Sequence, residues 1–175
     1  MADLLPEKWM KAMAVTTTVL GVVASIALSR SSFYITSAQH LTALQADQWS
    51  YYQAKSIKQD LFATQEKAFQ YKLLTNSSPA KKDSLNQAIQ DFSKGIIRYD
   101  QEKLDIKKKA DDIKKQSHFV VRRGSQFSLA IVFAQIGIML SSIGVLLKRI
   151  ELWILGLVFG FISLIFLVNG FLLFF

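Results

Sequence analysis

The chain has no cysteine, two histidines and two prolines among its 175 residues. Lack of cysteine rules out disulfides and thiolate metal sites, though it says little about the compartment. With His40 and His118 as the only imidazoles, a metal site would have to recruit carboxylates, of which the nearest are Asp47, Asp111 and Asp112. Charge is also missing from three long stretches, Met10 to Leu28, Phe127 to Leu147 and Leu152 to Phe175, apart from Lys11 at the edge of the first. A carboxylate or a cation at depth is what proton- or ion-coupled transport needs, so the sequence argues against a coupled pump.

What fills those stretches is hydrocarbon. Each is long enough at helical rise to cross an apolar core of about 30 Å. In the third, 18 of 24 residues are Leu, Ile, Val or Phe. At roughly 0.3–0.6 kcal/mol each, their insertion term outweighs the lone Asn169. A buried helix of a soluble protein is rarely this long and apolar on all sides. The first stretch has the look of a signal peptide, with Lys8 and Lys11 before it and Ala27-Leu28-Ser29 closing it. It exceeds the usual apolar region of such a peptide, so an uncleaved anchor is expected.

Between the first and second stretches lie residues 30–126, with 17 Lys or Arg against 10 Asp or Glu, a net +7 of the chain's +8. Positions 85, 89, 92, 96, 99, 103, 106, 110, 113, 117 and 120 alternate steps of four and three and read Leu, Ile, Phe, Ile, Tyr, Lys, Ile, Ala, Ile, Ser, Val. A period of 3.5 kept for five heptads predicts a helix coiled against a partner, with Lys103 and Ser117 as interruptions. Ser78 before Pro79 marks its start, a hydroxyl cap with proline at the first helical position. Upstream, Thr75-Asn76-Ser77 supplies the turn. The preceding stretch Tyr34 to Leu74 lacks Gly and Pro, and its cleanest heptad line is Ala54, Ile57, Leu61, Ala68 and Tyr71.

Two antiparallel helices of about 40 residues are therefore expected, roughly 60 Å each. Residues whose numbers sum to about 158 then lie at equal height, which sets Phe69 level with Ile89, Phe62 with Ile96, Tyr52 with Ile106, and Asp60 with Arg98. The fold class is an all-α membrane protein with three transmembrane helices and an extramembrane antiparallel helical hairpin between the first and second. Its parts are residues 1–29, 30–126 with a turn near 75–79, and 127–175. A chain of this length forms one folding unit.

The same height rule makes His40 and His118 level, yet ordinary amphipathic positions explain both. Six lysines between Lys103 and Lys115 could suggest nucleic-acid binding. Asp105 four before Lys109 and Asp111 four before Lys115 instead describe a solvated face stitched by ion pairs, and no nucleic acid is expected. Trp49, Tyr51 and Tyr52 form the densest aromatic cluster outside the apolar runs, at the height of Lys107, Lys108 and Lys109, where cation–π contacts and helix packing compete as explanations. Arg122 and Arg123 are placed at lipid headgroups.

Small residues recur at heptad steps in all three apolar runs: Ala14, Thr17, Gly21 and Ala24; Ala130, Ala134, Gly137, Ser141 and Gly144; Gly156, Gly160, Ser163 and Gly170. They let helix backbones approach in a medium as apolar as leucine. Gln135 lies near the middle of the second run, where an amide either bonds a neighbouring helix or lines a wet pore. Lys8, Lys11, Lys148 and Arg149 favour a cytoplasmic N-terminus with the hairpin outside; Arg122, Arg123 and Lys115 oppose it.

The stretch Ala46-Asp47-Gln48-Trp49-Ser50-Tyr51-Tyr52-Gln53-Ala54-Lys55-Ser56-Ile57-Lys58-Gln59 resembles the signature of an uncharacterised bacterial membrane-protein family, domain of unknown function four-three-three-seven. That family has the same layout of one anchor, a helical segment and a terminal pair of membrane helices. The resemblance implies a bacterial envelope protein and supplies no catalytic residues; the expected location is the bacterial inner membrane. With no nucleophile, base and metal set within reach of one another, the sequence leads to a non-enzymatic, cofactor-free homo-oligomer: a scaffold or docking protein with a coiled-coil stalk for another envelope protein. The alternative is a passive oligomeric channel lined by the second or third span, touched by Gln135 or Asn169.

Overall fold

A computed structural model describes residues 4–75 and 78–173, apart from the side chains of residues 4–8 and 80. It contains three α-helices, α1 (Leu4–Thr75), α2 (Pro79–Leu147) and α3 (Ile150–Leu172). All three include a stretch long and apolar enough to cross a membrane. Helices of 72 and 69 residues form because nothing breaks them. Both prolines fall in a first turn, where a missing N–H costs no bond. The Ser78 carbonyl accepts the first α2 bond, from Lys82 N–H at 3.1 Å. Asn76 and Ser77, the expected turn residues, lie outside the described residues.

The chain packs as two compact units rather than one, residues 40–116 and residues 1–39 with 117–175. In the first unit, α1 and α2 run antiparallel. The α2 positions Leu85, Ile89, Phe92, Ile96, Tyr99, Lys103, Ile106, Ala110 and Ile113 are all covered, as their spacing predicts. On α1 the outcome differs. Its covered line is Leu41, Gln45, Gln48, Tyr52, Lys55, Gln59, Phe62, Glu66, Phe69 and Leu73, also in steps of four and three. The more apolar line Ala54, Ile57, Leu61, Ala68 and Tyr71 faces outward, with Ile57 68%, Leu61 55% and Tyr71 69% exposed.

Polar residues can hold the seam because α2 satisfies them. Lys103 Nζ donates to Gln59 Oε1 at 2.6 Å, Gln59 Nε2 donates to the Ile96 carbonyl at 3.4 Å, and Ser93 donates to Glu66. Between these layers sit rings: Phe62 meets Phe92 at 5.4 Å and Tyr99 at 5.2 Å, both edge-on, and Phe69 meets Phe92 at 5.4 Å. Phe92 and Tyr99 bracket the height expected for a partner of Phe62. Arg98 pairs with Glu102 on its own helix at 3.5 Å, not with Asp60 across the seam.

In the second unit, α1, α2 and α3 share a core of Met13, Leu20, Ala27, Phe127, Ala130 and Ala134. The unit reaches past the ends of the apolar runs because packing continues there: the Ser31 and Ser128 hydroxyls bond at 2.9 Å, and Tyr34 stacks on Phe127 at 5.6 Å. Two residues connect α2 to α3. Arg149 N–H bonds the Gly144 carbonyl at 3.0 Å and Lys148 N–H the Val145 carbonyl at 3.3 Å, with Lys148 at φ 52°. That pair of bonds is a Schellman cap built on lysine where glycine is usual. The helix α3 stops at Leu172, short of the apolar run's end, where Leu173 takes φ 51°; Phe174 and Phe175 lie outside the described residues.

The Phe62 ring lies 2.5 Å from where a Cβ on Gly95 would stand. An aromatic ring wedged in a seam has little room to yield, so Gly95→Ala should destabilise the hairpin by about 1–3 kcal/mol despite alanine's better helix propensity. Lys107→Ala, on the exposed face of α2, should stay within about 0.5 kcal/mol. Thermal unfolding of the two variants followed by circular dichroism checks the contrast.

Candidate interaction surfaces

The aromatic cluster divides between the seam and the surface. Tyr52 is half-buried and carries Trp49 edge-on at 5.5 Å, while Tyr51 and Trp49 are exposed. Cations do stand over these rings, but they are not the expected ones. Lys103 lies 5.4 Å from the Tyr52 ring and Lys55 5.1 Å from Tyr51. Lys107, Lys108 and Lys109 are exposed and, among the described residues, stand over no ring, because they fall between the seam positions Ile106 and Ala110 and project away from α1. Lys115 pairs with Asp112 at 3.6 Å rather than with Asp111, so the basic run is a solvated face with looser pairing than its spacing predicts.

Lys55 is held from two sides in the hairpin. Its Nζ lies 2.6 Å from Glu102 and 5.5 Å from the Tyr99 ring centre, with its side chain 16% exposed. Hydrogen bonding to Glu102, then to Tyr51, raises the Lys55 pKa above the ordinary 10.5. The reciprocal bond from Lys55 lowers the Glu102 pKa below the ordinary 4.5.

His40 and His118 are both exposed, and among the described residues no group of three or more His, Cys, Asp or Glu could hold a metal. Arg122 points outward, whereas Arg123 turns inward, donating to the Tyr34 hydroxyl at 3.4 Å and standing 4.9 Å from the Phe119 ring.

The small residues of α2 and α3 bring those two helices into backbone contact. A Cβ on Gly137 would fall 2.9 Å from the Gly156 carbonyl oxygen, and one on Gly156 would fall 2.6 Å from Ser141 Oγ and 2.9 Å from the Gly137 carbonyl. Ser141 is fully buried there. Leu20 of α1 fills the notch at Gly160, and Met13 the one at Gly144. Ser163 donates to the Ala130 carbonyl at 2.7 Å, and Trp153 Nε1 to Thr16 Oγ1 at 3.1 Å. Asn169 is 1% exposed and donates to Gln126 at 3.0 Å, which places it inside the packing. Two residues stand apart. Gly21 has nothing within 4 Å of its missing Cβ, and Gln135 is exposed.

Helical periodicity alone identifies the α2 seam and the small-residue contacts between α2 and α3, whereas on α1 Leu20 and Met13 meet those glycines and the line Ala14, Thr17, Gly21 and Ala24 does not. It misses Lys55, Gln59 and Glu66 as seam residues, and the only sequence signal for them is their heptad spacing with Tyr52, Phe62 and Phe69. The family described as Domain of unknown function (DUF4337) matches residues 9–173. No curated protein and no solved structure matches the chain.

The Lys55–Glu102 pair gives a pH prediction. Glu102, with its folded pKa lowered, contributes stability that is present above 4.5 and lost as pH falls through the lowered value. Lys55, with its folded pKa raised, contributes stability present below 10.5 and lost as pH rises through the raised value. Chemical denaturation between pH 3 and pH 7 should show an acid-side loss that Glu102→Gln makes shallower.

Proposed function

Because the chain belongs to the DUF4337 family, whose function is unknown, we propose its role from its own physics: a non-enzymatic, oligomeric membrane scaffold that presents a coiled-coil stalk for docking. The apolar helices support insertion. Val15, Val19, Val132, Met139, Ile154, Val158 and Phe161 are all at least half exposed, a surface that water would not tolerate and lipid covers. Lys11, Lys148 and Arg149 gather at one end of that unit, since Met13 meets Gly144 and Trp153 bonds Thr16. Their shared position supports a cytoplasmic N-terminus, with the hairpin on the far side. A bacterial inner membrane is the setting that this layout fits.

The observation that carries the docking role is the outward line Ala54, Ile57, Leu61, Ala68 and Tyr71. It keeps heptad spacing on the side of α1 that its own hairpin leaves uncovered. A second coiled-coil face is of use only to a second helix, from another subunit or an envelope partner.

A passive channel lined by α2 is the second reading, favoured by the exposed Gln135. Asn169 adds nothing to it, being bonded to Gln126. The scaffold should be electrically silent in planar bilayers. Unitary currents altered by Gln135→Leu would favour the channel.

Native mass spectrometry of the full chain, extracted with lipid, should show an oligomer, or an associated protein retained on the hairpin. Ile57→Asp with Leu61→Asp should abolish that hairpin-mediated association while leaving helix content unchanged. A strict monomer whose outward line protects nothing would end this reading.

A further inference from the structure

On the apolar unit, α3 lies against one flank of the α1–α2 pair. It meets α2 along Ala130, Gly137 and Gly144, through Ser163, Gly156 and the Arg149–Trp153 backbone. Ser128, Gln135 and Ser142 each lie two residues before one of those contacts, about 200° around the helix. The opposite flank is therefore theirs. Ala14, Thr17 and Thr18 of α1 line a groove there together with Ser142 and Val145 of α2. Next along α1, Thr18, Gly21, Val22 and Ser25 border a second open groove.

Nearly every hydroxyl along this flank is already satisfied. Thr17 donates to Met13, Thr18 to Ala14, Ser25 to Gly21 and Ser142 to Ile138, all to backbone carbonyls of their own helix. Gln135, by contrast, offers an amide, is exposed and makes no hydrogen bond among the described residues. Its amide offers two donors and an acceptor. In hydrocarbon these have no solvent to turn to. Level with Gln135 on α1 is Gly21, given that Leu20 meets Gly137, and Gly21 is the glycine of the three apolar runs whose open side no internal contact uses.

We infer that this flank binds a second copy of the chain, with the two Gln135 amides hydrogen-bonded to each other at a two-fold axis. The occupant follows from the chemistry. A primary amide is self-complementary, donor to acceptor in both directions, and a two-fold operator brings one side chain onto its own copy at the same depth. Gly21, Ala14 and Thr18 give a flat approach for the partner's backbone, as small residues do where lipid supplies no apolar drive. The inference rests on the membrane-oligomer reading above and assigns its contact within the bilayer.

A cysteine-free chain makes the test direct. Single variants Gln135→Cys, Ser142→Cys, Ile57→Cys and, on the outer face of α3, Val158→Cys are oxidised in the full-length protein in phosphatidylethanolamine–phosphatidylglycerol vesicles. Disulfide dimers are expected at residues 135 and 142 and not at 158. In the same vesicles, Gln135→Leu should raise the dimer dissociation constant, read by energy transfer between labelled copies, by about 3- to 30-fold, with Gln135→Asn recovering part of the loss. Dimers at 57 with none at 135 or 142 would overturn this interface and leave the scaffold standing. No product at residues 57, 135 or 142 would overturn this interface and, with it, self-association of the chain. A ladder beyond the dimer at 135, or cross-linking at 158 instead, would overturn the two-fold pairing, as would unchanged association of Gln135→Leu.

Discussion

Phe62 fills the space that a side chain on residue 95 would need, and the antiparallel alignment within the hairpin follows from that fit. Moving α2 by one heptad along α1 would set the Phe62 ring against Glu102 in one direction or Ala88 in the other rather than Gly95. It would also separate Gln59 from Lys103 and Lys55 from Glu102, stranding polar groups in a seam that closes only when each is matched. Apolar seams slide easily. Polar layers at fixed heights penalise every other alignment more than they stabilise the right one.

The apolar unit uses a different device for the same end. Side chains there cannot be sorted by water affinity, so contact depends on shape: Gly137 against Gly156, Leu20 over Gly160, Phe127 against Gly170. Hydrogen bonds to backbone, such as Ser163 to Ala130, add direction. Bulk at either of the first two glycines would push backbone against backbone, which no rotamer change can relieve. A bulkier residue at Gly160 would meet the tip of a leucine, which can turn.

How much of this the sequence displays depends on who satisfies each side chain. The α2 seam is legible because apolar residues occupy nine of its eleven positions. Its α1 counterpart is hidden, since Gln45, Gln48, Lys55, Gln59 and Glu66 hold five of its ten positions and the neater apolar line points the other way. A pattern reader rewards hydrophobicity and so selects the wrong face; only the identity of the residues opposite reveals that a lysine is at home in the seam. Relative height survives the error, because it depends on the turn near Pro79 and not on which face is inward. The small-residue lines were equally visible, and so was Gln135. What residue pattern could not supply was the difference between Gln135 and Asn169, two lone amides in apolar helices, one left outside and the other bonded within.

Lys148 shows two demands meeting at one residue. Its left-handed backbone would suit glycine, and for an L-residue that conformation costs roughly 1–2 kcal/mol. Glycine, however, would halve the positive charge of the two-residue corner between α2 and α3. The corner therefore carries two adjacent cations at the expense of an easy bend, and a Lys148→Gly exchange would trade a relaxed turn for a weaker positive rim.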